Sequence, residues 1–593
     1  MRRPLAVGLL VLALGLAVRT RAPDDLDSLD QARQALYVVD AFREGRLLVP
    51  LEGGTIYPTK PPLMTWLSLA VAGWRGRVDE LSARLPSAAA TVVLLAATVR
   101  FARRLGRTAA LTAAVAVVAN HHVMHAAWLS RTDMLLAAFT TLAVGQTFEA
   151  YLEHRRGLDP CRSFLAAAAL MGLGTVAKSP VALACPIFAL TAFLVAIGEA
   201  ATFARALGAR TVALAALVYV AIVGAWLLPA ALVAGRPFLE TIGRELVGHA
   251  TGTGDYASEE KIKPFYYPLG HILGSFQPWI TIALLGAIAP LPRAVASLPV
   301  GGFPSRPKTE RGLAAWFAVA AFLGSLAFFM CLRVKRADHV IPCYPWAAIA
   351  AGLGVERWLE ERRGHAGAGF VASAVLGGVA GALLPLVLEG GAFLPSAGRV
   401  GDLMNPLRPT VDALARRPLL VIGAALALPP ASTLLLGGAL RRSLGATLAG
   451  TVGVVTVGLA LYFLGASPMV EHEKAETVRR FGEVAHLLAG DEPVTFVHVP
   501  PSVVFYVGRS QPVHDETARA LEDMVRGARA VLADSETATE ILRARPDFAL
   551  ARTSGFYWKT TRTRDVWQLA LLLPRDRVKE PVDPSGVEAR IWW

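Results

Sequence analysis

Long apolar runs broken by short polar turns dominate the first 465 residues. After an opening run at 4–19, they recur near 83–101, 108–126, 132–150, 163–177, 180–200, 209–235, 268–291, 312–331, 339–356, 367–388, 417–437 and 443–465. A helix rises about 1.5 Å per residue, so runs of roughly 17–25 residues match a hydrocarbon core about 30 Å thick. The pattern predicts thirteen membrane-spanning helices. The opening run lies between Met1-Arg2-Arg3 and Thr20-Arg21-Ala22. It reads as a retained helix or as a signal peptide cleaved at its end; on both readings the chain that follows is outside.

Between and after the spans the pattern changes. Residues 20–82 carry amphipathic pieces at 30–44 and 61–74, too short to cross and suited to lying in the interface. Residues 236–267 are rich in Gly, Ser and charges and read as a mobile exterior loop. From 466 onward, strand-like runs at 494–499, 503–507, 528–533 and 566–573 alternate with amphipathic helical stretches at 473–489, 515–527 and 535–544. That alternation predicts a small α/β domain of about 120 residues. It shows no Gly-rich phosphate loop, metal-ligand cluster or triad spacing, which suits a lid or docking surface. The predicted fold is thus an α-helical polytopic membrane protein. Residues 1–465 form the membrane domain with its loops 20–82 and 236–267, and residues 466–593 form an exterior α/β domain.

Composition narrows the class. The chain is 54% hydrophobic and 18% charged, against about 45–50% and 25% in soluble domains. A soluble enzyme, a disordered chain and a fibre are excluded. The net charge of +13 is carried largely by every second loop, as in Arg103, Arg104 and Arg107, then Arg155, Arg156 and Arg162, then Arg441 and Arg442. With Arg2 and Arg3, this places the N-terminus in the cytoplasm and the tail outside. Such a surplus speaks to anionic lipid, not nucleic acid. Ala, Arg and Gly usage with a short basic start suggests a bacterial inner membrane, the tail being periplasmic. The four cysteines have neither metal nor disulfide spacing and read as small apolar residues.

Several basic residues break the charge rule. Arg131, Lys178, Arg333, Lys335 and Arg336 sit at exterior span ends, and Lys60 in the first exterior loop. Each alone reads as snorkelling to the interface. As a set they predict a shared site for an anionic lipid phosphate. On the helical stretch 30–44, Asp30, Arg33, Gln34 and Tyr37 fall at i, i+3, i+4 and i+7, on one face. A carboxylate beside Arg33 suits a general base; the structural alternative is a helix N-cap at Asp27 or Asp30, as Asp133 is for the span at 132–150. In Tyr57-Pro58-Thr59-Lys60-Pro61-Pro62-Leu63, the prolines hold Lys60 extended just before a helix, flanked by Tyr57 and Trp66. His121, His122 and His125 read as interface polar residues, since no third metal ligand accompanies a facing pair. Trp128, Tyr266 and Trp279 fit an interfacial belt. Trp592-Trp593 would dock on the membrane or pack on the tail domain.

Seven pieces now carry a resemblance: Asp30-Gln31-Ala32-Arg33, Lys60-Pro61-Pro62-Leu63, Ala83-Arg84-Leu85-Pro86-Ser87, Arg131-Thr132-Asp133, Ala177-Lys178-Ser179-Pro180, Pro264-Phe265-Tyr266-Tyr267 with Pro278-Trp279, and Lys335-Arg336 with Pro342 and Pro345. The chain resembles the integral-membrane GT-C glycosyltransferases that use polyprenyl-phosphate sugars. The nearest branch is the lipid A aminoarabinose transferase type, related to the protein O-mannosyltransferases. The resemblance covers residues 1 to about 360 well and the remainder loosely.

It implies an inverting glycosyltransferase that moves a sugar from a polyprenyl (undecaprenyl) phosphate to an extracytoplasmic acceptor such as lipid A, another envelope glycan or a protein. It implies Asp30 as the acid facing the reacting centre. Lys60, Lys178 and Lys335 would bind the lipid phosphate, with Arg84 and Asp133 beside the cavity; Arg33, Tyr37, Tyr57 and Arg336, read from the residues themselves, join them as candidates for binding the lipid phosphate and sugar. Membrane lipids are further partners; nucleic acid is not. Three departures stand out: Gln31 where a second acid is usual, Thr59 where an acid often precedes the lysine, and His339 where an aromatic is commoner. The first two count against the divalent metal that some relatives hold near the acid. Two other readings compete: a flippase or transporter of lipid-linked sugars, and a membrane-anchored binding module. A transporter predicts broken helices with ionisable groups near mid-bilayer, whereas the charges here cluster at span ends. A simple anchor leaves thirteen spans unexplained.

Overall fold

The computed structural model describes residues 2–21, 25–26, 29–52, 57–253, 262–285, 309–359, 366–393, 411, 414–466, 478–490, 493–508, 513–514, 529–558 and 566–578. They form two compact units. The first comprises Met1–Arg21, Thr59–Met64 and Pro86–Ala466; the second comprises Ala22–Pro58, Thr65–Leu85 and Ser467–Trp593.

Helices make up the first unit, and each of the thirteen apolar runs falls on one or more of them. Six, at Glu80–Ala102, Ala200–Gly248, Glu310–Cys331, Ala366–Leu388, Pro418–Leu440 and Leu444–Gly465, are long and apolar enough to cross a membrane. Shorter apolar helices lie at Arg107–Val118, Cys161–Ala177 and Val181–Ala196. The opening helix, Arg2–Arg19, packs against Arg107–Val118 and Leu444–Leu461. Neighbours pack closely where glycine faces backbone. At Gly324 on Glu310–Cys331, a Cβ would lie 2.7 Å from the carbonyl oxygen of Phe188 on Val181–Ala196. Gly352 presses in the same way on the Ala109 carbonyl.

Three expectations need correction here. The run at 108–126 is two helices, Arg107–Val118 and His121–Ala127, because Asn120 caps the second by accepting from the Val123 amide. The run at 268–291 breaks between Tyr267–Ser275 and Trp279–Ala283, where Pro278 cannot continue a helix; its end lies outside the described residues. The segment 236–267 is not a loop throughout. Helix Ala200–Thr251 runs into it, kinked at Gly208 (φ 65°) and Gly235 (φ 67°). The two glycines bound the apolar run 209–235. Beyond them Pro237 suits the first turn of a new helical arm, which ends at left-handed Gly252.

The second unit contains helices at Leu29–Glu44 and, from Thr65 on, Leu63–Arg75, as the amphipathic pieces predict. Its five-stranded sheet consists of β1 (Val494–Val497), β2 (Val513–His514), β3 (Ala530–Asp534), β4 (Phe548–Trp558) and β5 (Val566–Pro574), in the order β2-β1-β3-β5-β4. β1 pairs in parallel with β2 and β3; β5 pairs antiparallel with β3 and β4. Parallel neighbours need a crossover, and this overturns the strand expected at 503–507: Pro501–Val507 is the crossover helix between β1 and β2. Helices cover both faces. Phe481, Val503, Val504 and Leu571 pack on one side, joined by Leu36 of Leu29–Glu44. Val531, Ile541 and Leu572 pack on the other. The predicted helix at 515–527 and Trp592-Trp593 lie outside the described residues. Within this unit Arg479 bonds Asp25 and Glu80, and the Tyr506 hydroxyl accepts from the Leu26 amide at 2.8 Å.

Candidate active site

The ten residues singled out divide between the units: Lys60, Asp133, Lys178, Lys335 and Arg336 fall in the first; Asp30, Arg33, Tyr37, Tyr57 and Arg84 fall in the second.

In the first unit the ends of several helices converge. Lys178 follows helix Cys161–Ala177, which Pro180 separates from the next helix. Asp133 opens helix Asp133–Arg155, and Arg131 lies in the turn before it, its carbonyl accepting from the Ser87 hydroxyl at 2.9 Å. Asp338 lies in the first turn of Ala337–Cys343, just after Lys335-Arg336. The Lys178 ammonium meets Asp133 at 2.5 Å. The Arg131 guanidinium bridges two carboxylates, Asp133 at 3.1 Å and Asp338 at 2.8 Å. Arg336 adds a third cation, 3.8 Å from Asp338. Burial is the largest influence on the Asp338 carboxyl and pushes it up, but Arg131, Arg336 and Lys178 together outweigh it and hold the pKa below the ordinary carboxylate range. Asp133 is therefore more than a cap: its own helix has Thr132 at the N-cap, and its side chain joins two cations. Three cations against two carboxylates leave this cluster with one excess positive charge, which suits an anionic guest.

The other two lysines singled out in this unit have different partners. Lys60 forms an ion pair with Glu245 on the arm beyond Gly235. Lys335 donates to the carbonyls of Lys263 (3.2 Å) and Leu332. Sequence reasoning missed Glu245 and Asp338, because nothing in spacing links positions 185 and 207 residues apart.

In the second unit the first turn of Leu29–Glu44 carries Asp30. Arg33, one turn on, pairs with Glu52 at 3.0 Å and also feels Asp30 and Tyr37. Burial pushes the Glu52 carboxyl up; Arg33 opposes this only in part. Gln34 donates to Thr65 at 2.8 Å, and Tyr37 is buried. Asp30, Arg33 and Tyr37 are thus brought together as the helical spacing predicts. Arg84 is buried and donates to the Asp25 carbonyl at 3.3 Å; Tyr57 is half-buried. Glu52 is the member that sequence reasoning missed. These residues do not suit a resident metal: Gln31 replaces a second acid, and Arg33 engages Glu52.

The three histidines near the end of the apolar run at 108–126 gain a fourth, His271. The His121–His122 and His122–His271 rings lie 5.1 and 4.5 Å apart and meet edge to face. Among the described residues, no three His, Cys, Asp or Glu side chains are arranged to hold a metal ion.

Residues 59–226 match the family of dolichyl-phosphate-mannose-protein mannosyltransferases. That stretch contains Lys60, Arg84, Arg131, Asp133 and Lys178. Two solved structures of ArnT from Cupriavidus metallidurans are similar over nearly the whole chain. The one bound to undecaprenyl phosphate has a TM-score of 0.68 at 18% identity and covers 97% of this chain and 99% of its own. The apo form has a TM-score of 0.69 at 18% identity and covers 98% of each chain. No curated protein matches in sequence. The chain thus shares its overall fold with the two ArnT structures, and residues 59–226 match the mannosyltransferase family.

Proposed function

We propose that this protein is an inverting glycosyltransferase acting on the outer side of a bacterial inner membrane. It moves a sugar from a polyprenyl-phosphate donor, of the undecaprenyl type, to a lipid, glycan or protein acceptor. The observation that carries the proposal is the excess positive charge of the Arg131, Asp133, Lys178, Arg336 and Asp338 cluster, in a chain with the ArnT fold. The loop charges support a cytoplasmic N-terminus and a periplasmic tail.

In the reaction, an acceptor oxygen attacks the anomeric carbon from the face opposite the phosphate. The bond from that carbon to the phosphate oxygen breaks, and the polyprenyl phosphate leaves as an anion. Lys178, Lys60, Lys335 and the guanidinium groups stabilise the charge that develops on it, as a preorganised low-dielectric cleft does best. Asp30, steadied by Arg33 and Tyr37, takes the proton of a hydroxyl acceptor. A phosphate acceptor is already anionic, and Asp30 then serves to position it.

Mass spectrometry of envelope lipids and glycoproteins, with and without the gene, tests the proposal. Loss of one sugar from one acceptor class is the expected result. Asp30→Asn and Lys60→Ala should abolish the transfer, with Asp30→Asn costing on the order of 100-fold or more, while the protein still inserts. Full activity in both variants refutes the residue assignment.

A further inference from the structure

Lys60 already holds an anion. Its ammonium forms an ion pair with the carboxylate of Glu245, and the Glu245 side chain is only 11% exposed. Glu245 lies on the helical arm that follows the Gly235 kink and ends at Gly252, both glycines with positive φ. The arm has little cover: Leu239, Leu246 and Val247 are exposed. Just past it, Ile262 forms an antiparallel bridge with Val334, and the Lys263 carbonyl accepts from Lys335. One stretch of chain therefore offers a carboxylate to Lys60 and a carbonyl to Lys335. Both lysines are assigned above to the donor's phosphate.

We propose that Glu245 is a built-in competitor for the phosphate-binding face of Lys60, so that a lipid-linked phosphate enters by displacing it. The inference rests on the assignment of Lys60 to the phosphate. A carboxylate and a phosphate monoester compete for the same ammonium donors. The donor's phosphate is a diester with one negative charge, like the competitor, whereas the released polyprenyl phosphate is a monoester with more, so the exchange favours the monoester most. Gly235, with no Cβ and a left-handed backbone, supplies the pivot on which the arm can move. Glu245 also gives Lys60 an anionic partner when no donor is bound.

Binding of undecaprenyl monophosphate to the full-length protein in detergent tests this, with inorganic phosphate as the second probe. Glu245→Gln removes the competing charge and should tighten undecaprenyl monophosphate binding about tenfold. Glu240→Gln, an exposed acid on the same arm, should leave it unchanged. Lys60→Gln should weaken binding, and Lys60→Gln combined with Glu245→Gln should bind no better than Lys60→Gln alone. Glu245→Ala takes the place of the glutamine variant if that variant fails to accumulate. If Lys60→Gln weakens binding but neither Glu245 variant tightens it, the competitor is refuted while the phosphate site stands. If Lys60→Gln binds as well as the parent, the phosphate assignment itself falls. Equal tightening of inorganic phosphate shows that the competition is for the phosphate alone; tightening confined to the lipid form shows that the arm also screens the isoprenoid.

Discussion

Removing Asp133 should destabilise the protein more than removing the lysine it holds. The carboxylate is 5% exposed and sits 2.5 Å from Lys178 and 3.1 Å from Arg131. At an effective dielectric constant of about 20, unit charges at those distances attract by about 7 and about 5 kcal/mol. Desolvation of the buried charges offsets much of that gain. The cost of deleting one partner is then set by the charge left behind, about 3–5 kcal/mol for a buried pair. The cluster holds Arg131, Lys178 and Arg336 against Asp133 and Asp338. Asp133→Ala raises its net charge from +1 to +2, whereas Lys178→Ala brings it to zero. Asp133→Ala should therefore cost about 3–5 kcal/mol and Lys178→Ala clearly less. The double variant should fall short of the sum of the two by about 0.5–3 kcal/mol. Reversible denaturation in mixed micelles, followed by tryptophan fluorescence, gives all three values. The charge argument is refuted if Lys178→Ala proves as costly as Asp133→Ala, or if the two effects simply add.

Two further outcomes follow from local chemistry. Burial raises the Glu52 carboxyl above its unfolded value, so this group favours folding most at low pH, and that contribution is lost as pH rises through the folded pKa. Glu52→Gln keeps an oxygen for Arg33 and should raise the melting temperature relative to the parent by more at pH 8 than at pH 4; a difference independent of pH contradicts this. Gly352→Ala drives a methyl into the Ala109 carbonyl and should cost about 1–3 kcal/mol, read as lower yield and melting temperature in detergent, whereas Gly145→Ala, with open space around it, should not.

The fold was legible where one physical constraint dominates. Apolar runs must be helical in a bilayer because the backbone has no water to bond, and, among the described residues, each predicted run falls on one or more helices. Punctuation was legible too: Gly208 and Gly235 bracket the run read as 209–235. The readings failed where composition and topology disagree. Val503-Val504-Phe505-Tyr506-Val507 has strand composition but is a helix, because two parallel strands need a crossover and Pro500-Pro501 starts one. The arm after Gly235 looked like a loop because Gly and charges interrupt it; yet its charged side chains are helix formers, and Pro237 begins it.

The candidate site shows the same division more sharply. Which residues carry charge at span ends was plain from the sequence, because a charge near the bilayer needs a reason. Which charge meets which was not, because Lys60 and Glu245 are 185 residues apart and Arg131 and Asp338 are 207. Pairing over such distances is decided by how helices pack, and a single chain carries no periodic signal for it. This matters for the chemistry as well. A lysine read alone suggests an open phosphate site, whereas one read with its partner is already neutralised. Phosphate affinity is then a difference between two ion pairs. Substitutions at Glu245 and Asp338, which never touch the donor in the proposed reaction, should shift that difference as strongly as substitutions at lysines that do.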